Sequence, residues 1–199
     1  GLVEDVLVDR AFVDDPQHAA ELGTLADIAP LAPHNVANAL AAAALARSFG
    51  VPAEAVRDGL RAFRPDAHRI ADAGEVAGVR YVDDSKATNP HAAGASIRSF
   101  EPGTVVWVAG GLAKGATFDD LVVATRDRLR AAVLIGRDRG LVAEALARHA
   151  PDLPVVEVDR TDTGAMDAVV AAAADLARPG DTVLLAPACA SMDMFENYG

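Results

Sequence analysis

The sequence predicts an α/β fold in which a doubly wound, mostly parallel sheet fills the larger, carboxyl-terminal part and is preceded by the last strands and helices of another domain. Short apolar runs at 104–109, 131–135, 154–158 and 182–186 alternate with helical stretches of ordinary length, which is the rhythm of βαβ units. These runs are apolar throughout rather than alternating, as strands covered on both faces are. Composition agrees: 51% of the 199 residues are hydrophobic, and Gly and Pro are scattered as punctuation rather than gathered into tracts.

Taken in order, Val3, Val6 and Val8 around Asp5 and Asp9 predict one strand already inside a fold, so the chain is expected to begin within a longer protein. Residues 33–49 predict a single Ala-rich helix, closed by the stop and restart signals Gly50 and Pro52. A second helix then has Pro52 in its first turn and Val56, Leu60 and Phe63 on one face, ending before Pro65. A domain boundary is placed there, giving an incomplete domain over 1–64 and a second over 65–199. Runs at 69–74 and 79–83 flank Ala77 and Gly78, as in a hairpin. From there the βαβ rhythm continues to the end.

The formal net charge of −11 argues against nonspecific binding to nucleic acid or to an acidic membrane, because a phosphate backbone demands clustered positive charge. No run is long and apolar enough to span a bilayer. The single cysteine, Cys189, lies in an apolar run and cannot support a disulfide framework, which fits a reducing compartment such as the cytoplasm. No His, Cys or carboxylate group stands at metal-ligand spacing, so no tightly held metal is expected.

In parallel sheets ligands collect at the carboxyl ends of strands, which directs attention to the loops there. Asp83-Asp84-Ser85-Lys86-Ala87-Thr88-Asn89-Pro90 leaves a strand and enters a helix; free N–H groups at a helix start beside a lysine suit a carboxylate or phosphate, although helix capping accounts for the same residues. Gly110-Gly111-Leu112-Ala113-Lys114-Gly115 lets a ligand approach the backbone and adds a charge, but lacks the spacing of a P-loop. Ala186-Pro187-Ala188-Cys189-Ala190-Ser191-Met192-Asp193 forms a tight loop of small residues in which Ser191 starts a cap or offers donors to a carboxylate. No G-x-S-x-G surrounds Ser191, which disfavours serine hydrolysis. His34-Asn35-Val36-Ala37-Asn38 places two amides on one helix face, fit for a purine edge, while N-capping by Asn35 is the plainer account.

Together and in this order, the four segments resemble the Mur ligase family over essentially the whole chain. The stretch from His34 to Leu40 is similar to a signature near the end of the family's central ATP-binding domain, and His68-Arg69 to the entry into its carboxyl-terminal domain. Asp83-Asp84-Ser85-Lys86-Ala87-Thr88-Asn89 and Ala186-Pro187-Ala188-Cys189-Ala190-Ser191 are more specific, because sister ligases that add lysine, diaminopimelate or a dipeptide carry other motifs there. The resemblance implies an ATP-dependent amide ligase of peptidoglycan precursor synthesis that joins D-glutamate to UDP-N-acetylmuramoyl-L-alanine through an acyl phosphate, as a cytoplasmic monomer. It implies a Rossmann-like carboxyl-terminal domain in which Lys86, Thr88, Lys114, Ser191, Met192 and Tyr198 hold D-glutamate. For ATP it implies adenine at Asn35 and Asn38, phosphates at Arg69 and ribose at Asp84. The P-loop and the main magnesium and ATP sites have no counterpart here, so this stretch alone is expected to be inactive.

This chain has Leu112-Ala113 where the family often has an acidic residue, and Tyr198 where another aromatic is common. A folylpolyglutamate-type sister ligase and a noncatalytic nucleotide-binding module are the competing readings.

Overall fold

The computed structural model describes residues 1–15, 17–160 and 164–194. The chain forms two compact units, Gly1–Asp66 and Ala67–Gly199.

The first unit opens with a three-stranded antiparallel sheet of β1 (Leu2–Val3), β2 (Val6–Asp9) and β3 (Ala20–Thr24), in that order. The single strand expected over Val3, Val6 and Val8 is therefore a hairpin. Glu4 adopts a φ of 54° and Val3 pairs with Val6, so the acidic residues that interrupt the apolar run are the turn itself. Asp9 ends β2: its Oδ1 accepts the N–H groups of Ala11 and Phe12 at 2.8 and 3.0 Å, and its Oδ2 meets Arg47 Nε at 2.7 Å.

Arg47 lies on α1 (Pro33–Ser48), which begins with Pro33 where a missing N–H costs nothing and is followed by Gly50 at a φ of 87°. In α2 (Ala53–Ala62), Pro52 is the N-cap residue rather than part of the first turn. Phe63 is not on the buried face with Val56 and Leu60. It is the C-cap, with ψ at 132°, so the helical period no longer governs it and it is 60% exposed. The core of this unit is Leu7, Leu22, Ile28, Ala39, Ala43 and Val56.

The second unit is built on a six-stranded sheet of β4 (Ala71–Val76), β5 (Val79–Asp83), β6 (Val105–Gly110), β7 (Leu129–Ile135), β8 (Val155–Glu157) and β9 (Thr182–Leu185). Its order is β4-β5-β9-β6-β7-β8, parallel except for the antiparallel hairpin β4-β5. Ala77 and Gly78 at the hairpin turn both have positive φ, 52° and 77°, the twist that suits a two-residue connection.

Helices α3 (Pro90–Ile97), α4 (Asp119–Thr125) and α5 (Arg139–His149) cover one face, packing Ile97, Val122 and Leu146 with Trp107 and Leu134. The other face packs Val169 and Ala173 of α6 (Ala165–Leu176) with Val106 and Val133. All six residues of β6 are buried, which is why the run reads as continuously apolar. Trp107 satisfies its polar tip by donating Nε1–H to the Ala186 carbonyl at 2.8 Å, anchoring the start of the last loop. Among the described residues no helix is long and apolar enough to cross a membrane.

Candidate active site

Strand β9 lies between β5 and β6, so the loops leaving these three strands are neighbours at the carboxyl end of the sheet. Backbone hydrogen bonds stitch them together. Ala188 N–H donates to the Ala87 carbonyl at 2.8 Å, and Leu112 and Ala190 exchange bonds of 2.7 and 3.0 Å. The structure thus brings Lys86 and Thr88, Lys114, and Ser191 and Met192 to the carboxyl end of the sheet on three tied loops. Tyr198 lies outside the described residues.

The first loop is fixed from both ends. Asn89 caps α3 by accepting Ala92 N–H at 2.9 Å, with Pro90 in the first turn. At the strand end, Asp83 Oδ1 accepts Ser85 N–H at 2.9 Å while Oδ2 stands 2.6 Å from His68 Nδ1. The His68 carbonyl then accepts Lys86 N–H at 3.3 Å. Burial would raise the Asp83 carboxyl, but hydrogen bonds from His68 and Ser85 and the His68 charge outweigh it, and the group titrates below its ordinary value. Asp84 is buried, with Oδ1 accepting Ile70 N–H at 3.3 Å. Arg69 is exposed.

The second loop depends on two glycines. A Cβ on Gly110 would stand 1.9 Å from the Ile135 carbonyl oxygen, and one on Gly111 would stand 2.3 Å from that of Ala190. Both have φ above 120°, so no other residue fits either the torsion or the space. Lys114 follows at a φ of 51°, exposed at the tip of the loop.

In the third loop Cys189 is 1% exposed, and burial, reinforced by the carboxylates of Asp138 and Asp193, pushes its thiol up to about 12. It stays protonated and serves as a small apolar filler. Ser191 is half-buried and Met192 is 77% exposed; the Ser191 carbonyl accepts Met194 N–H at 3.1 Å in a turn.

In the first unit, Asn35 and Asn38 line one cavity of about 450 Å³ with Ile28, Ala39, Ala42 and Val56. Capping is not the work of Asn35. Ala32 holds the N-cap position, and the Asn35 amide donates to the Pro30 carbonyl at 2.9 Å. Sequence reasoning missed Asp83, Asp138 and Asp193 as loop-holding groups; the partners of the first two stand 15 and 25 residues away, beyond any local pattern.

The family model described as Mur ligase, glutamate ligase domain, matches residues 68–189. The chain belongs to the Mur ligase family. It is 69% identical over all 199 residues to a Streptomyces avermitilis protein named UDP-N-acetylmuramoylalanine–D-glutamate ligase, covering 42% of that relative. A Thermobifida fusca protein of the same name is 65% identical over 199 residues, again with 42% of its length covered. The chain therefore spans less than half of these Mur ligase relatives. Among solved structures it resembles MurF from Acinetobacter baumannii with a TM-score of 0.60 and 21% identity, covering 91% of this chain and 41% of that one, a likeness of fold.

Proposed function

We propose that the chain is the carboxyl-terminal part of a cytoplasmic UDP-N-acetylmuramoylalanine–D-glutamate ligase, with 1–64 closing its central ATP-binding domain and 65–199 receiving D-glutamate. The observation that carries this reading is the convergence of three hydrogen-bonded loops bearing Lys86, Thr88, Lys114 and Ser191 at the carboxyl ends of β5, β6 and β9. The 69% identity to a relative of that name supports the choice of amino acid.

D-Glutamate carries two carboxylates, and a site with two ammonium groups and two hydroxyls neutralises and orients them. Lys86 and Lys114 act as point charges, Thr88 and Ser191 as hydrogen-bond donors, and Met192 and Tyr198 as the walls. ATP supplies the phosphoryl group that turns the terminal carboxylate of UDP-N-acetylmuramoyl-L-alanine into an acyl phosphate. The D-glutamate amine forms the new C–N bond, phosphate departs with the C–O electron pair, and the amine releases a proton. What this chain contributes is position: a bound dianion whose amine is held for attack gains most of the benefit of proximity. On the nucleotide side, Asn35 and Asn38 would read adenine, a role that their shared cavity fits, with Arg69 toward the phosphates and Asp84 toward the ribose. Magnesium is assigned to no residue of this chain.

In the complete ligase, phosphate release from ATP with UDP-N-acetylmuramoyl-L-alanine should require D-glutamate and fail with L-glutamate, lysine or diaminopimelate. Preference for another amino acid would move the protein to a sister ligase. Lys114→Ala should raise the KM for D-glutamate by about a hundredfold while the KM for ATP stays within about twofold, since only one substrate loses its counter-charge.

A further inference from the structure

Lys114 sits exposed at the tip of a loop containing three glycines, the arrangement with most backbone freedom to lose. Two carboxylates outside the expected site hold it. Asp138 Oδ2 accepts the N–H of Ala113, the residue just before Lys114, at 2.8 Å, and the Asp138 N–H donates back to the Gly111 carbonyl at 2.9 Å. This two-ended clasp fixes the glycine loop to the turn after β7. Asp193 closes the chain of contacts: its Oδ2 accepts Arg137 N–H at 2.7 Å, tying that turn to the loop that carries Ser191 two residues earlier. Asp193 Oδ1 is buried and has no hydrogen-bond partner among the described residues.

Negative charge beside a site for a dicarboxylate works against binding, so charge does not account for these two groups. Geometry does. A carboxylate oxygen is a strong acceptor for a loop N–H, and a loop held by its backbone keeps its side chain where a small ligand needs it. Resting on the assignment of Lys114 and Ser191 to D-glutamate, we infer that Asp138 and Asp193 are positioning residues of the amino-acid pocket, setting the reach of Lys114 relative to Ser191 through the turn after β7.

The test uses the complete ligase and separates geometry from charge. Asp138→Ala removes the acceptor and should raise the KM for D-glutamate about tenfold, the factor expected for one lost bond to a charged acceptor, with the KM for ATP within about twofold. Asp138→Asn keeps an oxygen acceptor and should stay within about threefold of the parent, since the geometry is retained without the charge. Asp193→Ala should move the same parameter in the same direction by a smaller factor, and it carries the test if Asp138→Ala does not fold. Equal losses toward both substrates, or an Asn variant as impaired as the Ala variant, would overturn the inference. Lys114→Ala run in parallel tells the two failures apart. If it raises the KM for D-glutamate while the Asp variants do not, positioning alone is wrong; if it leaves that KM unchanged, the pocket assignment itself falls.

Discussion

The two units differ in how they bury their apolar residues. The second hides Trp107, Phe118, Ile97, Leu134, Leu146 and Leu184 almost completely between its sheet and helices. In the first, Leu7 is fully buried, yet Phe49 is 91% exposed, Leu45 72%, Leu31 61% and Phe63 60%. Helix α1 makes the contrast plain. It carries one charged residue, Arg47, in sixteen, but buries only Ala39 and Ala43. A helix apolar on all sides is stable where it is covered on all sides. Each unit has a core, but that of the second is far larger, and the first leaves more of its large apolar side chains exposed.

The sharpest way to break this contrast is Arg47→Ala. Arg47 pairs with Asp9 at 2.7 Å, both side chains nearly buried, and also donates to the Val51 and Phe12 carbonyls. Removing it strands a buried carboxylate, a loss of about 3–5 kcal/mol, which a unit with so small a core should not survive. Trp107 is the only tryptophan and lies in the second unit, so its fluorescence reports that unit alone. Arg47→Ala should lower helical circular dichroism at rest by the share of α1 and α2 and leave the fluorescence transition in denaturant where it was. A fluorescence transition that moves with it would show that the two units unfold as one.

The complementary change is Leu134→Ala, at a side chain with no exposure on β7. It should cost the second unit about 2–5 kcal/mol through lost burial and the cavity left behind. The fluorescence midpoint falls, and the part of the circular dichroism transition that comes from α1 and α2 stays in place. An unchanged fluorescence midpoint would mean that the core tolerates the cavity.

The same contrast explains what the sequence could convey. The parallel strands were legible because burial on both faces writes an unbroken apolar run, as in β6 from Val105 to Gly110. The hairpin at Ala77-Gly78 was legible because its turn needs residues that accept positive φ. The start of the chain was misread as one strand because Val3, Val6 and Val8 were joined across Glu4-Asp5, whose two adjacent acidic residues break the alternation and form the turn, and β3, with Glu21 and Gly23 in five residues, carries no apolar run to announce it. Phe63 was misplaced because periodicity does not mark where a helix stops. At the carboxyl end of the sheet, the loops bearing Lys86, Lys114 and Ser191 were visible as dense polar and glycine-rich segments after apolar runs. The groups that hold them were not: Asp138 looks like any helix-start aspartate until the fold places it under Ala113.

Acid should sharpen the contrast by a smaller amount. In the first unit, burial works against ionisation of Asp9, but the Arg47 hydrogen bond and the Phe12 and Ala11 N–H groups outweigh it; Asp27 is held down chiefly by its hydrogen bonds from Arg61 and Thr24. In the second unit, Asp83 is lowered by His68 and Ser85 against the effect of burial, and Asp119 is lowered by its hydrogen bonds from Arg148 and His149. Each folded-state pKa lies below the ordinary value of 3.8, so the unfolded chain takes up protons first as pH falls. The stabilisation is complete above the unfolded value and disappears as pH drops through the folded one. Two such carboxylates support each unit, and the same loss is a larger share of the stability of the unit with the smaller core, so between pH 7 and pH 3 the part of the circular dichroism transition that comes from α1 and α2 should weaken more than the fluorescence transition. Asp27→Asn should flatten that dependence, because a neutral amide has no proton to take up. If the Asn variant keeps the parent's slope, Asp27 does not contribute to it, and the acid sensitivity of the first unit must come from Asp9 and its pairing with Arg47.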